Sequence, residues 1–517
     1  MMTDIVVETA YGKLKGTTEA GVHSFKGIPY GGPTGGQNRF MPPKKPEPWS
    51  GIRNAYRHGP SCWQVLEQFT RLGILGTAGI DSMSEDCLAL NVWTPGLNDQ
   101  GKRPVMVWIH GGGFFLGSGD QLPFYDGASL ARTGDVVVVS VNHRLGVFGF
   151  LHLGEVAGEK YSSSGNVGML DLVAALEWVR DNIETFGGDP DSVTIFGESG
   201  GGAKVSLLLS MPSAKGLFHR AIIQSGPGLK ALPQEKATRI ANEFLKVTDL
   251  NGERIKLLHE MRADMIYSAW MAVADKAAIP GMPKGGEFAP VVDGKIIPAH
   301  PFDPIAAPTA ANVPIIIGTN KDEMTFMLMR DPKFGKYDEK TMRRRIFGSI
   351  KLRMTIDVQM EKSDELITTY RRTRPGATPH DILVAVTTDL MRVASIRLAE
   401  RKAIGGPAPV FMYLFTWESP ALNGLLKSCH TLEMPFVFNN VEPSIEMLGD
   451  STERLELAKR MSDAWIAFAR EGNPNHEGIP LWPTYETEKR ATMLFNKECR
   501  VEDDPRGDER MAWDGIL

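Results

Sequence analysis

A chain of 517 residues has room for one large α/β unit or about three average domains. Its composition, 42% hydrophobic and 23% charged with a net charge of −5, is that of a water-soluble globular protein and gives no electrostatic ground for binding nucleic acid. No apolar run is long enough to span a bilayer, and the opening Met-Met-Thr-Asp-Ile-Val-Val-Glu lacks the basic and apolar regions of a signal peptide, so a cytoplasmic protein without membrane contact is expected.

In chain order, residues 5–30 read as a β-rich start punctuated by Gly12, Gly16, Gly21 and Gly27, followed by a Gly/Pro-rich loop at 31–48. Residues 58–83 are predicted to be irregular and mobile, and residues 88–93 to form a strand. The turn Gly96-Leu-Asn-Asp-Gln-Gly101-Lys102-Arg103 misses the phosphate-binding P-loop by one residue. Pro104 and a strand follow it instead of a helix, so no helix N-terminus faces the loop and a nucleotide site is rejected. Residues 105–109 read as a buried strand running into His110-Gly111-Gly112-Gly113, and 136–141 as a β-branched strand covered on both faces. A helix is predicted at 170–183 and a strand at 193–196.

That strand leads into Gly197-Glu198-Ser199-Gly200-Gly201, which fits G-x-S-x-G, the strand-to-helix turn that lifts a nucleophilic serine clear of a sheet. Beyond it come a strand at 221–224, helices at 230–280, strands at 288–292 and 313–318, and a helical region at 336–404 interrupted at Pro375 and Pro379. A strand at 410–417 and an amphipathic helix at 452–470 complete the pattern. Strands alternating with helices imply an α/β fold: a mostly parallel sheet with helices on both faces.

A serine hydroxyl needs a base and a group that orients that base. Among the histidines after residue 323 (His380, His430 and His476), only His430 follows a strong buried strand whose loop can reach the serine edge. For the acid, Glu323 and Asp322 compete in the loop Thr319-Asn320-Lys321-Asp322-Glu323, with Asp293 more distant. The glycine run at 111–113 can turn backbone N–H groups toward the serine, which makes Gly112 and Gly113, with Gly200, the candidate oxyanion donors.

At this point the chain resembles the type-B carboxylesterase family, the cholinesterase-like branch of the α/β-hydrolases, over nearly its whole length. The resemblance rests on Phe25-Lys26-Gly27-Ile28-Pro29-Tyr30, Ser84-Glu85-Asp86-Cys87-Leu88, Asn142-His143-Arg144-Leu145-Gly146 and Gly165-Asn166-Val167-Gly168. Phe186-Gly187-Gly188-Asp189-Pro190 and Gly472-Asn473-Pro474 add to it. It implies a single α/β-hydrolase domain over 1–517 with a helical cap at about 324–409, Glu323 as the acid and His430 as the base. It further implies ion pairs of Arg39 with Glu85 and of Arg144 with Asp171, and a disulfide position at Cys62 and Cys87; reduced thiols are expected there for want of a signal peptide.

Three departures bear on substrate. Gly200 replaces the family's alanine, which would loosen the third oxyanion donor. Lys284-Gly285-Gly286 stands where cholinesterases place aromatics, and residues 71–83 contain no tryptophan for a choline group. The expectation is a carboxylesterase for small, uncharged esters, working through an acyl-enzyme with a base active above about pH 6.5. No cofactor or metal is expected, and the chain acts as a monomer or homodimer. Amides or carbamates are the alternative substrates for the same machinery, and a non-catalytic binding protein on the same fold is disfavoured because no triad residue is missing.

Overall fold

The computed structural model describes residues 3–65, 82–276, 285–353 and 360–516. Most of the stretch expected to be mobile, and Lys284 of the acyl-pocket loop, lie outside these residues. A 13-stranded sheet dominates the described residues. Four strands, β1 (Thr3–Thr9), β2 (Gly12–Glu19), β3 (Val22–Pro29) and β5 (Ala89–Thr94), form an antiparallel entry, with the short β4 (Ile52–Asn54) beside β2. The centre is parallel, in the spatial order β7 (Val137–Val141), β6 (Arg103–Ile109), β8 (Gly188–Glu198), β9 (Arg220–Gln224), then β12 (Ile315–Asn320), β13 (Val410–Phe415) and β14 (Ala491–Phe495). The antiparallel β15 (Arg500–Asp503) closes the far edge, and β10 (Leu232–Pro233) pairs separately with β11 (Val291–Val292).

The continuous apolar runs are explained by burial on both faces. Successive side chains of a strand point to opposite sides. Val105, Val107 and Ile109 of β6 therefore pack into one core with Val137, Val139, Val193 and Ile195. Met106 and Trp108 pack into the other with Val138, Phe196 and Ile222. Helix α1 (Val167–Asn182) covers the first face through Leu172, Leu176 and Val179, joined by Val205 and Leu208 of α2 (Gly200–Leu208).

Between β12 and β13 the chain leaves the sheet as a short helix, Met324–Leu328, then α3 (Glu339–Arg353), α4 (Met360–Thr373) and α5 (Pro379–Ile404). These bury a third cluster around Ile346, Leu366, Tyr370, Leu383, Val386 and Trp513. The second face of the sheet is covered by α6 (Glu453–Glu471), with Leu457, Met461, Trp465 and Phe468 inward. Among the described residues no helix is long and apolar enough to cross a membrane.

The two expected ion pairs form. Arg39 meets Glu85 in a two-pronged contact at 2.5 and 2.6 Å, and Arg144 grips Asp171 at 2.8 and 2.6 Å. Cys62 and Cys87 are buried free thiols, and Cys62 Sγ accepts the N–H of Leu145 at 3.2 Å.

Candidate active site

The parallel strands present their carboxyl ends on one edge, and the polar residues of interest all follow such ends, where ligands gather in open α/β sheets. Ser199 sits between β8 and α2 at φ 57° and ψ −121°, a conformation that costs energy in any residue with a side chain and persists only where its surroundings enforce it. The enforcement is visible: the Ser199 N–H donates to Gln224 O on β9 at 2.8 Å, and a Cβ at Gly201 would lie 2.0 Å from Ile109 O on β6. The elbow glycine is there because a strand backbone fills the space its side chain would need.

The glycine run after β6 turns through left-handed angles, φ 84° at Gly112 and 62° at Gly113, which brings its backbone against the elbow. A Cβ at residue 200 would meet Gly113 O at 2.3 Å and Gly113 N at 2.4 Å. The space an alanine would occupy is thus taken up by Gly113, and the glycine here is accompanied by close packing rather than by a gap.

His430 and Glu323 meet although 107 residues separate them. His430 Nδ1 lies 2.5 Å from Glu323 Oε2, and both side chains are almost fully buried. The other carboxylate oxygen, Glu323 Oε1, accepts Ser225 Oγ at 2.6 Å and the Asn320 N–H at 2.7 Å, so the acid is fixed by the ends of β9 and β12. The competing residues are engaged elsewhere. Asp322 accepts the Ser428 N–H at 3.3 Å, Asp293 caps the turn at Lys295–Ile297, His380 stacks on Tyr337, and His476 contacts Arg460 O.

On its other side, His430 Nε2 is 3.2 Å from Glu198 Oε1, the residue immediately before Ser199. A third buried acid, Glu433, accepts Asn320 Nδ2 at 2.6 Å and Gln224 Nε2 at 3.1 Å. Burial pushes Glu198 well above the usual carboxyl range against the opposing pull of His430, with smaller upward pushes from Glu433 and Glu323, and burial together with Glu323 lifts Glu433 to about 7. For His430, burial pulls the pKa down, but the Glu198 and Glu323 carboxylates outweigh it and raise it above the ordinary histidine value. Ser225 and Glu433 are residues of the candidate site that sequence reasoning missed. The only local signals were their places, one directly after β9 and the other three residues beyond His430.

A parallel sheet with this set of polar groups at its carboxyl edge defines the class: the chain belongs to the Carboxylesterase family, whose model matches residues 3–513, and it is a carboxylic ester hydrolase of the α/β-hydrolase fold. Among its relatives, the para-nitrobenzyl esterase of Bacillus subtilis (strain 168) is 38% identical over 98% of this chain and 98% of that protein. Phenmedipham hydrolase of Pseudarthrobacter oxydans is 35% identical, with 96% of each chain covered. A crystal structure of a Geobacillus stearothermophilus carboxylesterase superimposes with a TM-score of 0.83 at 40% identity, covering 98% of this chain and 99% of that one.

Proposed function

We propose that ester hydrolysis proceeds through an acyl-enzyme on Ser199, with His430 as general base and Glu323 as the group that orients it. The observation that carries this reading is the placement of His430: one ring nitrogen is held by Glu323, and the other faces the residue next to Ser199. His430 takes the hydroxyl proton as Ser199 Oγ attacks the ester carbonyl. The carbonyl oxygen becomes an oxyanion, stabilised by the N–H groups of Gly112, Gly113 and Gly200. Collapse breaks the bond to the alkoxy group, which leaves as the alcohol with the proton from His430. Water then attacks the acyl carbonyl, giving its proton to His430, and the acid departs as Ser199 regains a proton.

The substrate in this reading is an uncharged ester of aryl or short alkyl type. The name of the para-nitrobenzyl esterase relative supports it, as does the wall beside the glycine run. There Phe115 packs beside Gly285 and Gly286, positions where larger side chains would fill the space. The helices between β12 and β13 act as a cap within a single domain.

A fluorophosphonate probe and a series of p-nitrophenyl esters of increasing acyl length test the assignment. Ser199→Ala is expected to lose labelling and to lower kcat on the order of 10⁴-fold or more. Undiminished labelling of that variant would remove Ser199 from the role of nucleophile.

A further inference from the structure

Helix α2 carries a second group that the mechanism above leaves unused. Lys204, five residues beyond Ser199, is fully buried. Removing an ammonium from water is costly unless a counter-charge repays it, yet among the described residues Lys204 makes no ion pair. Its Nζ donates to one acceptor, His110 O, at 2.9 Å, and stands 5.9 Å from the centre of the Phe114 ring. The titratable groups facing it are the imidazoles of His110 and His143, stacked on each other at 4.9 Å with 19° between the planes. Burial first, then the Lys204 charge, holds both well below the ordinary histidine range, so they are neutral. Burial likewise lowers Lys204 to about 7. No aspartate or glutamate contributes to that shift.

The position of the acceptor gives this lysine its meaning. His110 O is the last carbonyl before the glycine run, and the Cβ that Gly201 lacks would lie 3.0 Å from the same atom. Helix α2 therefore passes directly beneath the root of the loop, and Lys204 reaches across to hold it. Downstream of that carbonyl lie two left-handed glycines, the most permissive backbone in the site. A run of this kind presents its N–H groups in one direction only if both of its ends are fixed. The far end is tied by Leu116 N–H to Gly112 O at 3.0 Å and by Gln64 to Gly117. The near end is tied by Lys204.

We propose that Lys204 is a positioning residue of the oxyanion loop: by donating to His110 O, it anchors the base of the glycine run so that Gly112 and Gly113 aim their N–H groups at the oxygen that becomes negative when Ser199 attacks. The inference rests on the triad reading given above. Charged and neutral amines both donate to a carbonyl, so the anchor holds on either side of neutrality. Below it, the ammonium also places positive potential under the developing anion.

The test compares Lys204→Met, which fills the same volume without a donor, with Lys204→Gln, which restores a neutral donor. Ser199→Ala is the control for the underlying mechanism. Three quantities are read on each: kcat and KM for p-nitrophenyl acetate, the affinity of an alkyl trifluoromethyl ketone (which adds to a serine to give a tetrahedral oxyanion), and the thermal midpoint. Removing a whole oxyanion donor costs about 10²–10³ in kcat, so loosening the mount of two donors is expected to cost about tenfold in Lys204→Met. KM should stay within about twofold, ketone affinity should fall by the same factor as kcat, and the midpoint should hold or rise because a buried charge is gone. Lys204→Gln should recover most of the loss.

The proposal is overturned if Lys204→Met keeps kcat and ketone affinity within twofold of the parent. It is also overturned if that variant fails to fold, or if kcat, KM and midpoint deteriorate together without recovery in Lys204→Gln, since a lysine needed only for packing would behave so. A Ser199→Ala variant that still labels and turns over would instead sink the triad reading, whatever the Lys204 variants do.

Discussion

Glu198 stands 3.2 Å from His430 Nε2, on the side of the ring away from Glu323. In the triad reading a general base must be neutral to accept a proton, and with Glu323 on the far side of the ring the interacting Glu198–His430 pair keeps its proton to pH values where an ordinary histidine has lost it. The acid limb of the kcat/KM profile is therefore expected above pH 6.5, the value read from histidine alone, and Glu198→Gln should move it toward lower pH. A profile of that variant unchanged from the parent would show that the Glu198 carboxylate does not act on the base. Gly200 is equally specific at this scale. Because a methyl group there would press within 2.4 Å of Gly113, Gly200→Ala is expected to displace the glycine run and lower kcat about tenfold with little change in KM, measured on p-nitrophenyl acetate. Ser199 and the glycine run were legible because their chemistry is written in contiguous motifs. Glu323 and Asp322 could not be separated by their neighbours in the chain; what separates them is Ser225 and Asn320 on one side and Ser428 on the other, contacts made by strand order.

At the scale of elements, the continuous apolar runs announced the central strands to within a few residues, since a short β-branched run buried on both faces leaves little else that such runs can be. The two prolines at the start of α5, Pro375 before it and Pro379 within it, were a harder signal. They read as interruptions of a helical region, and the chain does break there, between Thr373 and Pro379; Pro379 itself occupies the first turn of the 26-residue α5, where its missing N–H has no intrahelical partner to lose. Thr378 and Asp381 form a reciprocal capping box at that end, and Lys427, three residues before His430, is paired with Asp381. The capping box therefore joins the packing of α5 to the loop that carries His430. Thr378→Ala is expected to lower stability by about 1 kcal/mol in chemical denaturation, and a loss below a few tenths would mean the neighbouring contacts hold the helix start without it. The predicted strand at 288–292 shrinks to Val291–Val292, because its partner β10 is only two residues long.

Across the whole molecule, the antiparallel entry and the parallel centre are joined through fully buried charge. Arg144, beyond β7, holds Asp171 on α1 with both side chains out of water, and it also donates to Met41 O in the Gly/Pro-rich loop. Removing one member of such a pair strands the other, so Asp171→Asn is expected to cost about 3 kcal/mol or more in denaturant unfolding, far beyond what a surface pair would show. A change under about 1 kcal/mol would mean that Arg144 finds another partner. The strand order also has a consequence in time. Ser199 leaves the ribosome roughly 230 residues before His430, with the glycine run ahead of it, and at about 5–20 residues per second that is a delay of some ten to fifty seconds. Throughout it, the nascent chain carries Ser199 without the His430 that the triad reading requires. Esterase activity during synthesis should therefore appear late and abruptly, which makes the onset of turnover a clock for the moment the last inner strands dock.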